Sequence, residues 1–213
     1  MHTGPTVSVL PHLLPLLIAL APGDARPGYG EVFLPGVVPA AAAPEDGASM
    51  LALCEGVLRA VEIQVTPMGA GRVRVEAPCR ATMLVRGVPT LTPGRVRTAT
   101  VREGHQARTS PYGPLSVTIE LGRERWRIRR VRLGSTGYRL DLRGPRGTVV
   151  LYEAQSTDAA RWTLLWAGDL DGDDALDLLI DASDALDRSE VRLFLSRGAR
   201  EPVDEAAYLL IER

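Results

Sequence analysis

From about Met50 onward, short apolar runs alternate with Gly and Pro breakers at intervals of roughly ten residues, the spacing of an all-β sandwich or barrel. Leu58 to Val65 and Val73 to Glu76 read as strands around the turn from Thr66 to Gly71, and Thr82 to Val85 reads as another before Gly87-Val88-Pro89. Val96 to Val101 follows the turn Leu91-Thr92-Pro93-Gly94. The clearest hairpin is Leu115 to Leu121, LSVTIEL, which alternates strictly, turns at Gly122-Arg123 and returns through Trp126 and Ile128. Tyr138 to Leu142 and Thr148 to Tyr152, joined across Gly144-Pro145-Arg146-Gly147, continue it as a meander. No helical stripe is sustained over three turns before residue 154, and Met50 to Ala60 is the one segment where a short helix competes. The pattern predicts an all-β fold over residues 50–213, an antiparallel sandwich or meander-like domain.

Two periods compete near the C-terminus. Leu176, Leu178 and Ile180 alternate with Asp177 and Asp181 as a strand does, while Leu176, Leu179, Ile180 and Leu186 would also line a helix. Leu178 falls off the helical stripe, and the strand-like Trp162 to Trp166 precedes it, so residues 162–196 read as a hairpin with an acidic loop at its tip. Val191 to Ser196 supplies the next strand, and Val203 to Ile211 fits a last strand or a short helix.

In that loop Asp169, Asp171, Asp173 and Asp177 occupy relative positions 1, 3, 5 and 9, with Gly172 at 4. A pair of like charges about 6 Å apart costs roughly 0.7 kcal/mol in water, and more as solvent is lost. Such crowding is most easily held by a hard, oxygen-loving cation. Calcium suits it best, because it accepts six to eight oxygens in a flexible shell, whereas magnesium demands a near-ideal octahedron and keeps its waters. The competing reading is a solvated acidic turn without an ion. Asp181, Asp184 and Asp187 lack the spacing and read as a solvated edge.

The beginning of the chain carries an address. An apolar run from Leu13 to Ala21, broken by Pro15, is too short to span a bilayer and precedes the small residues Gly23-Asp24-Ala25, so residues 1–25 read as a signal peptide. Only His2 stands where a basic residue is usual, and a buried N-terminal element is the alternative. Residues 26–49, dense in Pro, Gly and Ala, read as an extended lead-in. No later stretch is apolar enough to cross a membrane. An exported chain, periplasmic or extracellular, with two cysteines favours one disulfide between Cys54 and Cys79, which would stabilise by roughly 3 kcal/mol in the chain-entropy model; two separate buried thiols are the alternative.

The formal net charge of -1 gives no global pull toward nucleic acid or membrane. All 25 cationic residues are Arg, and Lys and Asn are both absent, a compositional bias that discourages reading every Arg as a phosphate fork. The run Arg123 to Arg132 reads as a solvated strand face, with Trp126 and Ile128 inward, Arg125, Arg127 and Arg129 outward, and the charges guarding a sheet edge; a polyanion-binding face with Trp126 stacking is the rival. Once a leader is removed His105 is the sole histidine, leaving little for nucleophilic catalysis beyond a His105 and Ser110 pair. Glu103, Glu120 and Glu153 could serve glycosidase chemistry, but no spacing singles them out. No Walker or Rossmann loop is present.

The acidic loop resembles the calcium-binding hairpin loop of the FG-GAP and VCBS repeat families. The matching residues are Ala167-Gly168-Asp169-Leu170-Asp171-Gly172-Asp173 and then Asp177-Leu178-Leu179. The resemblance implies carboxylate ligands from Asp169, Asp171, Asp173 and Asp177, a backbone carbonyl from Ala175, and Ca2+ as the ion. It covers one repeat, Trp162 to Ser196, and no second copy is visible. Asp174 stands where the families have Gly, which requires Asp to accept a left-handed backbone. An EF-hand fits less well, because Ile180 stands where a bidentate Glu is needed. The order LLWAGDLDGD, LDLL, LFLS also resembles the C-terminal part of a group of exported bacterial proteins and implies no activity. The expectation is therefore an exported calcium-binding structural or binding protein, with a protein or a surface glycan as partner and neither nucleic acid nor a membrane span. The alternative is a secreted hydrolase with its site around residues 103–114.

Overall fold

The computed structural model describes residues 30–103, 113–135, 137–145, 147–154, 161–183, 188–196 and 203–212. The expected leader, residues 26–29 and most of the loop proposed for a hydrolase site lie outside them. The described chain is all-β, with one 3-10 turn at Ala40–Ala42. Its strands are β1 (Gly30–Phe33), β2 (Gly36–Pro39), β3 (Ser49–Cys54), β4 (Val57–Glu62), β5 (Gln64–Gly69), β6 (Arg72–Glu76) and β7 (Ala81–Arg86). The short β8 (Gly94–Arg95), β9 (Arg97–Thr98) and β10 (Thr100–Glu103) follow, then β11 (Ser116–Leu121), β12 (Glu124–Leu133), β13 (Gly137–Gly144) and β14 (Gly147–Ala154). The last four are β15 (Arg161–Asp169), β16 (Asp177–Ser183), β17 (Arg188–Leu195) and β18 (Asp204–Glu212).

Ten strands form one sheet in the order β8-β4-β3-β7-β1-β18-β17-β16-β15-β9. Its two outermost strands are separated in sequence by Val96 alone, so the sheet must bring its own edges together. The joining segment bonds to both sides: Val96 N–H donates to the Gly56 carbonyl and Ala99 N–H to the Ala167 carbonyl, each at 2.9 Å. The result is a nearly closed barrel, in which closure removes most of the exposed edge. All its strand pairs are antiparallel except β1 with β18, where Gly30 lies opposite Ala207. A five-stranded meander, β10 to β14 in chain order, and a three-stranded sheet, β2-β6-β5, flank it.

Alternation along the strands sorts the core into three clusters. Val32, Leu53, Leu58, Val85, Leu179, Val191 and Leu193 converge from around the ring with Trp166 and Leu170 to fill the barrel. The opposite side of β15 to β17, with Trp162, Leu178 and Ile180, packs against Val117, Ile119, Trp126, Ile128 and Leu140 of the five-stranded sheet. The outer side of β1, β3 and β7 packs through Phe33, Met50, Ala52 and Leu84 on Val38, Ile63 and Val75 at the three-stranded sheet. A register shift between Leu164 and Trp166 lets β15 serve two clusters, with Trp162 on the meander and Trp166 in the barrel.

Several expectations change. Residues 30–39 are no lead-in: β1 completes the ring between β7 and β18, because Val32 and Phe33 each have a core to enter despite the surrounding Pro and Gly. Met50 to Ala60 is a hairpin, its two-residue turn made by Glu55 and Gly56 at φ 50° and 80°, as a type I′ connection requires. Leu58 to Val65 divides at the buried Ile63 into β4 of the barrel and β5 of the three-stranded sheet. Val203 to Ile211 contributes a strand. Cys54 and Cys79 form a disulfide with Cα atoms 6.0 Å apart, tying the end of β3 to the segment entering β7.

Candidate metal centre

The acidic loop joins β15 to β16 at the seam where the barrel closes, since β9 pairs with β15 through Thr98 opposite Gly168 and Arg97 opposite Asp169. Gly168 is required there: a Cβ would collide with the Arg97 carbonyl oxygen and the Trp166 ring. The loop then folds around its own carboxylates. Asp169 Oδ1 accepts from Gly172 N–H at 2.8 Å and its Oδ2 from Asp174 N–H at 3.2 Å. Asp171 Oδ1 accepts from Asp173 N–H at 3.3 Å, and Asp173 Oδ1 from Ala175 N–H at 2.9 Å. Gly172 and Asp174 take left-handed backbones, φ 81° and 65°, so Asp174 does adopt the conformation that a glycine would otherwise supply.

Asp177 sits at the root of the loop and is 0% exposed. Its Oδ2 accepts from Leu170 N–H at 2.6 Å and its Oδ1 from Ser196 N–H at 2.9 Å and Ser196 Oγ at 3.2 Å. Burial pushes its carboxyl up to about 8, reinforced by the charges of Asp171 and Asp173 and opposed by the two backbone donors. Burial, then the neighbouring charge of Asp173 and more weakly that of Asp169, raises Asp171 to about 6, against the pull of its bond from the Asp173 N–H. On their own, these carboxylates carry negative charge at a cost.

Carboxylate oxygens of Asp169, Asp171 and Asp177 lie within 4.8 Å of one another. An ion that holds oxygens at about 2.4 Å spans up to about 4.8 Å between opposite ligands, so these three can share one hard cation. All three are oxygen donors, the set that suits hard cations such as calcium, magnesium or manganese. Of the five residues expected from the sequence, the fold gathers these three. Asp173 stands outside that group, both of its oxygens accepting from Ser196 Oγ at 3.1 Å. Ala175 is buried at 2% exposure, and its N–H anchors Asp173.

Two participants were not foreseen. Arg97 reaches Asp169 Oδ2 at 3.0 Å and Asp174 Oδ1 at 2.7 Å, placing one positive charge on the rim. Ser196 links Asp173 to Asp177 from the end of β17. Neither carried a sequence signal, because both arrive by pairing across the barrel, Arg97 from 72 residues upstream of Asp169 and Ser196 from 19 residues beyond Asp177.

The remaining candidates separate readily. Glu120 is engaged by Arg102 at 3.3 Å and Arg125 at 2.7 Å, so it is committed to ion pairs. Glu190 and Glu205 both bind Arg192, whose guanidinium lies 5.1 Å from the ring centroids of Tyr152 and Tyr208, so both carboxylates are committed to an ion pair. His105 and Ser110 lie outside the described residues. Among the described residues no helix is long and apolar enough to cross a membrane. No family model, curated protein or solved structure matches the chain, so the reading of the loop rests on its residues and geometry.

Proposed function

We propose that this is an exported calcium-binding protein with a structural or binding role, in which the ion fastens the β15–β16 loop and through it the barrel seam. The observation that carries this reading is the convergence of Asp169, Asp171 and Asp177 beside the β9–β15 pair. Bound calcium would supply the positive charge that three crowded carboxylates lack. Asp169 and Asp177 would hold it from the two strand ends and Asp171 from the loop, with Asp173 and the Ala175 carbonyl as further donors by resemblance to the FG-GAP and VCBS hairpins. Gly172 and Asp174 shape the turn, and Ser196 keeps Asp173 and Asp177 in place. The disulfide is in keeping with export, and a protein or surface glycan is the expected partner.

Thermal unfolding of the full chain in chelator and in rising calcium tests the reading. A ligand that binds only the folded state raises stability by RT ln(1 + [L]/Kd), about 2.7 kcal/mol at a hundred-fold excess over Kd. The melting temperature should climb with the logarithm of calcium, and Asp171→Ala should remove most of the climb. No shift at millimolar calcium, with calorimetry equally silent, would reject it.

A further inference from the structure

The arginine run of β12 is the solvated face expected of it, with Trp126 and Ile128 buried and Arg125, Arg127 and Arg129 exposed, but β12 is the middle strand of the five-stranded sheet and the edges are β10 and β14, so the run guards no edge. The charges therefore need another explanation. On the face turned away from the barrel, Arg102 lies opposite Thr118, Thr118 opposite Arg127, Arg127 opposite Arg143, and Arg143 opposite Thr148. At about 4.8 Å per strand this row runs about 19 Å across the sheet. Arg127 and Arg143 are exposed and directly cross-strand, an arrangement that destabilises a sheet when both residues carry the same charge.

The acids of this face do not relieve that pair. Glu120 binds Arg102 and Arg125, and Asp141 binds Arg139 at 2.8 Å. Among the described residues Arg127 and Arg143 form no ion pair. What remains is a band of guanidinium forks flanked by the hydroxyls of Ser116, Thr118 and Thr148; the exposed Glu153 of the same face lies opposite Arg139, five residues along β14 from Thr148.

We propose that this face docks a linear acidic polysaccharide, a glycan carrying carboxylate or sulfate groups along its chain. Guanidinium forks take such groups in bidentate fashion, and the hydroxyls suit a polyhydroxylated backbone. The rivals fit less well. Trp126 is turned inward at 9% exposure and Tyr138 and Tyr152 are buried, so among the described residues the face offers no ring on which bases could stack, as single-stranded nucleic acid requires. A five-stranded sheet is too broad for a duplex major groove, which admits a helix or a two-stranded ribbon. A protein partner would want an apolar anchor at the centre, and among the described residues the large apolar side chain exposed on this face is Val150. The inference is independent of the calcium reading.

The test is the binding of the full chain to immobilised polygalacturonate, in calcium and in chelator, with dextran sulfate, neutral dextran and a thymidine oligonucleotide as further probes. Polygalacturonate and dextran sulfate should bind in both conditions and neutral dextran should not. Arg127→Gln with Arg143→Gln should weaken polygalacturonate binding about ten-fold, while the charge-matched Arg59→Gln with Arg72→Gln, exposed positions on the other two sheets, should change it less than about two-fold. Equal losses in the two double variants, retention of neutral dextran, tighter binding of the oligonucleotide, or no binding to either acidic polymer would each overturn the proposal. Circular dichroism melts confirm that each variant is folded, and the single Arg143→Gln variant serves if the pair is not.

Discussion

Asp169 and Asp177 crowd their charges at 5% and 0% exposure, whereas Arg127 and Arg143 face each other in open solvent. Like charges about 5 Å apart repel by about 0.8 kcal/mol in water but about 3 kcal/mol at an effective dielectric of 20. The carboxylates are accordingly wrapped in backbone N–H donors, Ser196 and Arg97, while the guanidinium groups are left to water. Burial, more than the number of charges, decides how much compensation the fold must build. The acidic loop is therefore part of the architecture, and the arginine face is an addition that the architecture tolerates.

The largest effect should come from the seam. Gly168→Val forces a side chain into the Arg97 backbone and the Trp166 ring and should destabilise by about 3 kcal/mol or more, read as a collapse of the melting temperature in calcium and chelator alike. Asp177→Ala strands two buried backbone donors, the N–H groups of Leu170 and Ser196, and should cost roughly 2–4 kcal/mol, together with loss of the calcium response. If Asp177→Ala melted like the parent, the loop would not be the structural element described here.

The next effect is one of pH. Asp177 titrates near 3.8 when unfolded and near 8 in the folded, calcium-free protein. Between those values the folded state binds more protons, so calcium-free stability should fall as pH rises from about 4 to about 8. Calcium requires the deprotonated carboxylates, so its stabilising shift should grow over the same range. Melts from pH 5 to 9 with and without the ion should diverge toward the alkaline end; parallel curves would detach Asp177 from the ion. Smallest of all, Arg127→Gln with Arg143→Gln should alter stability by no more than about 0.5 kcal/mol, toward greater stability, in urea titrations at low salt. A large loss would mean that these arginines support the sheet.

Local patterning made much of this legible. Strict alternation in Leu115 to Leu121 and the Gly122-Arg123 turn define the β11–β12 hairpin, and the off-stripe Leu178 correctly excludes a helix after the acidic loop. What stayed hidden is non-local. The placement of β1 beside β18, the closure through Val96, and the arrival of Arg97 and Ser196 at the carboxylates all depend on partners far away in sequence, where no periodicity speaks. The loop is foreseeable as acidic because its residues are neighbours; that it sits on a seam is not. The same limit misplaced the arginine run, since alternation shows which way a side chain faces but not whether its strand lies at an edge.

The parallel pairing of β1 with β18 has a temporal meaning. The two strands are separated by nearly the whole described chain, with Gly30 opposite Ala207, and β18 lies between β17 and β1. The ring is thus completed only once all the strands between β1 and β18 and β18 itself have been synthesised, and until then β1 and β17 present bare hydrogen-bonding flanks open to mispairing. Contacts of such long sequence separation form slowly. A nascent chain must therefore stay unclosed until β18 has emerged to pair with β1.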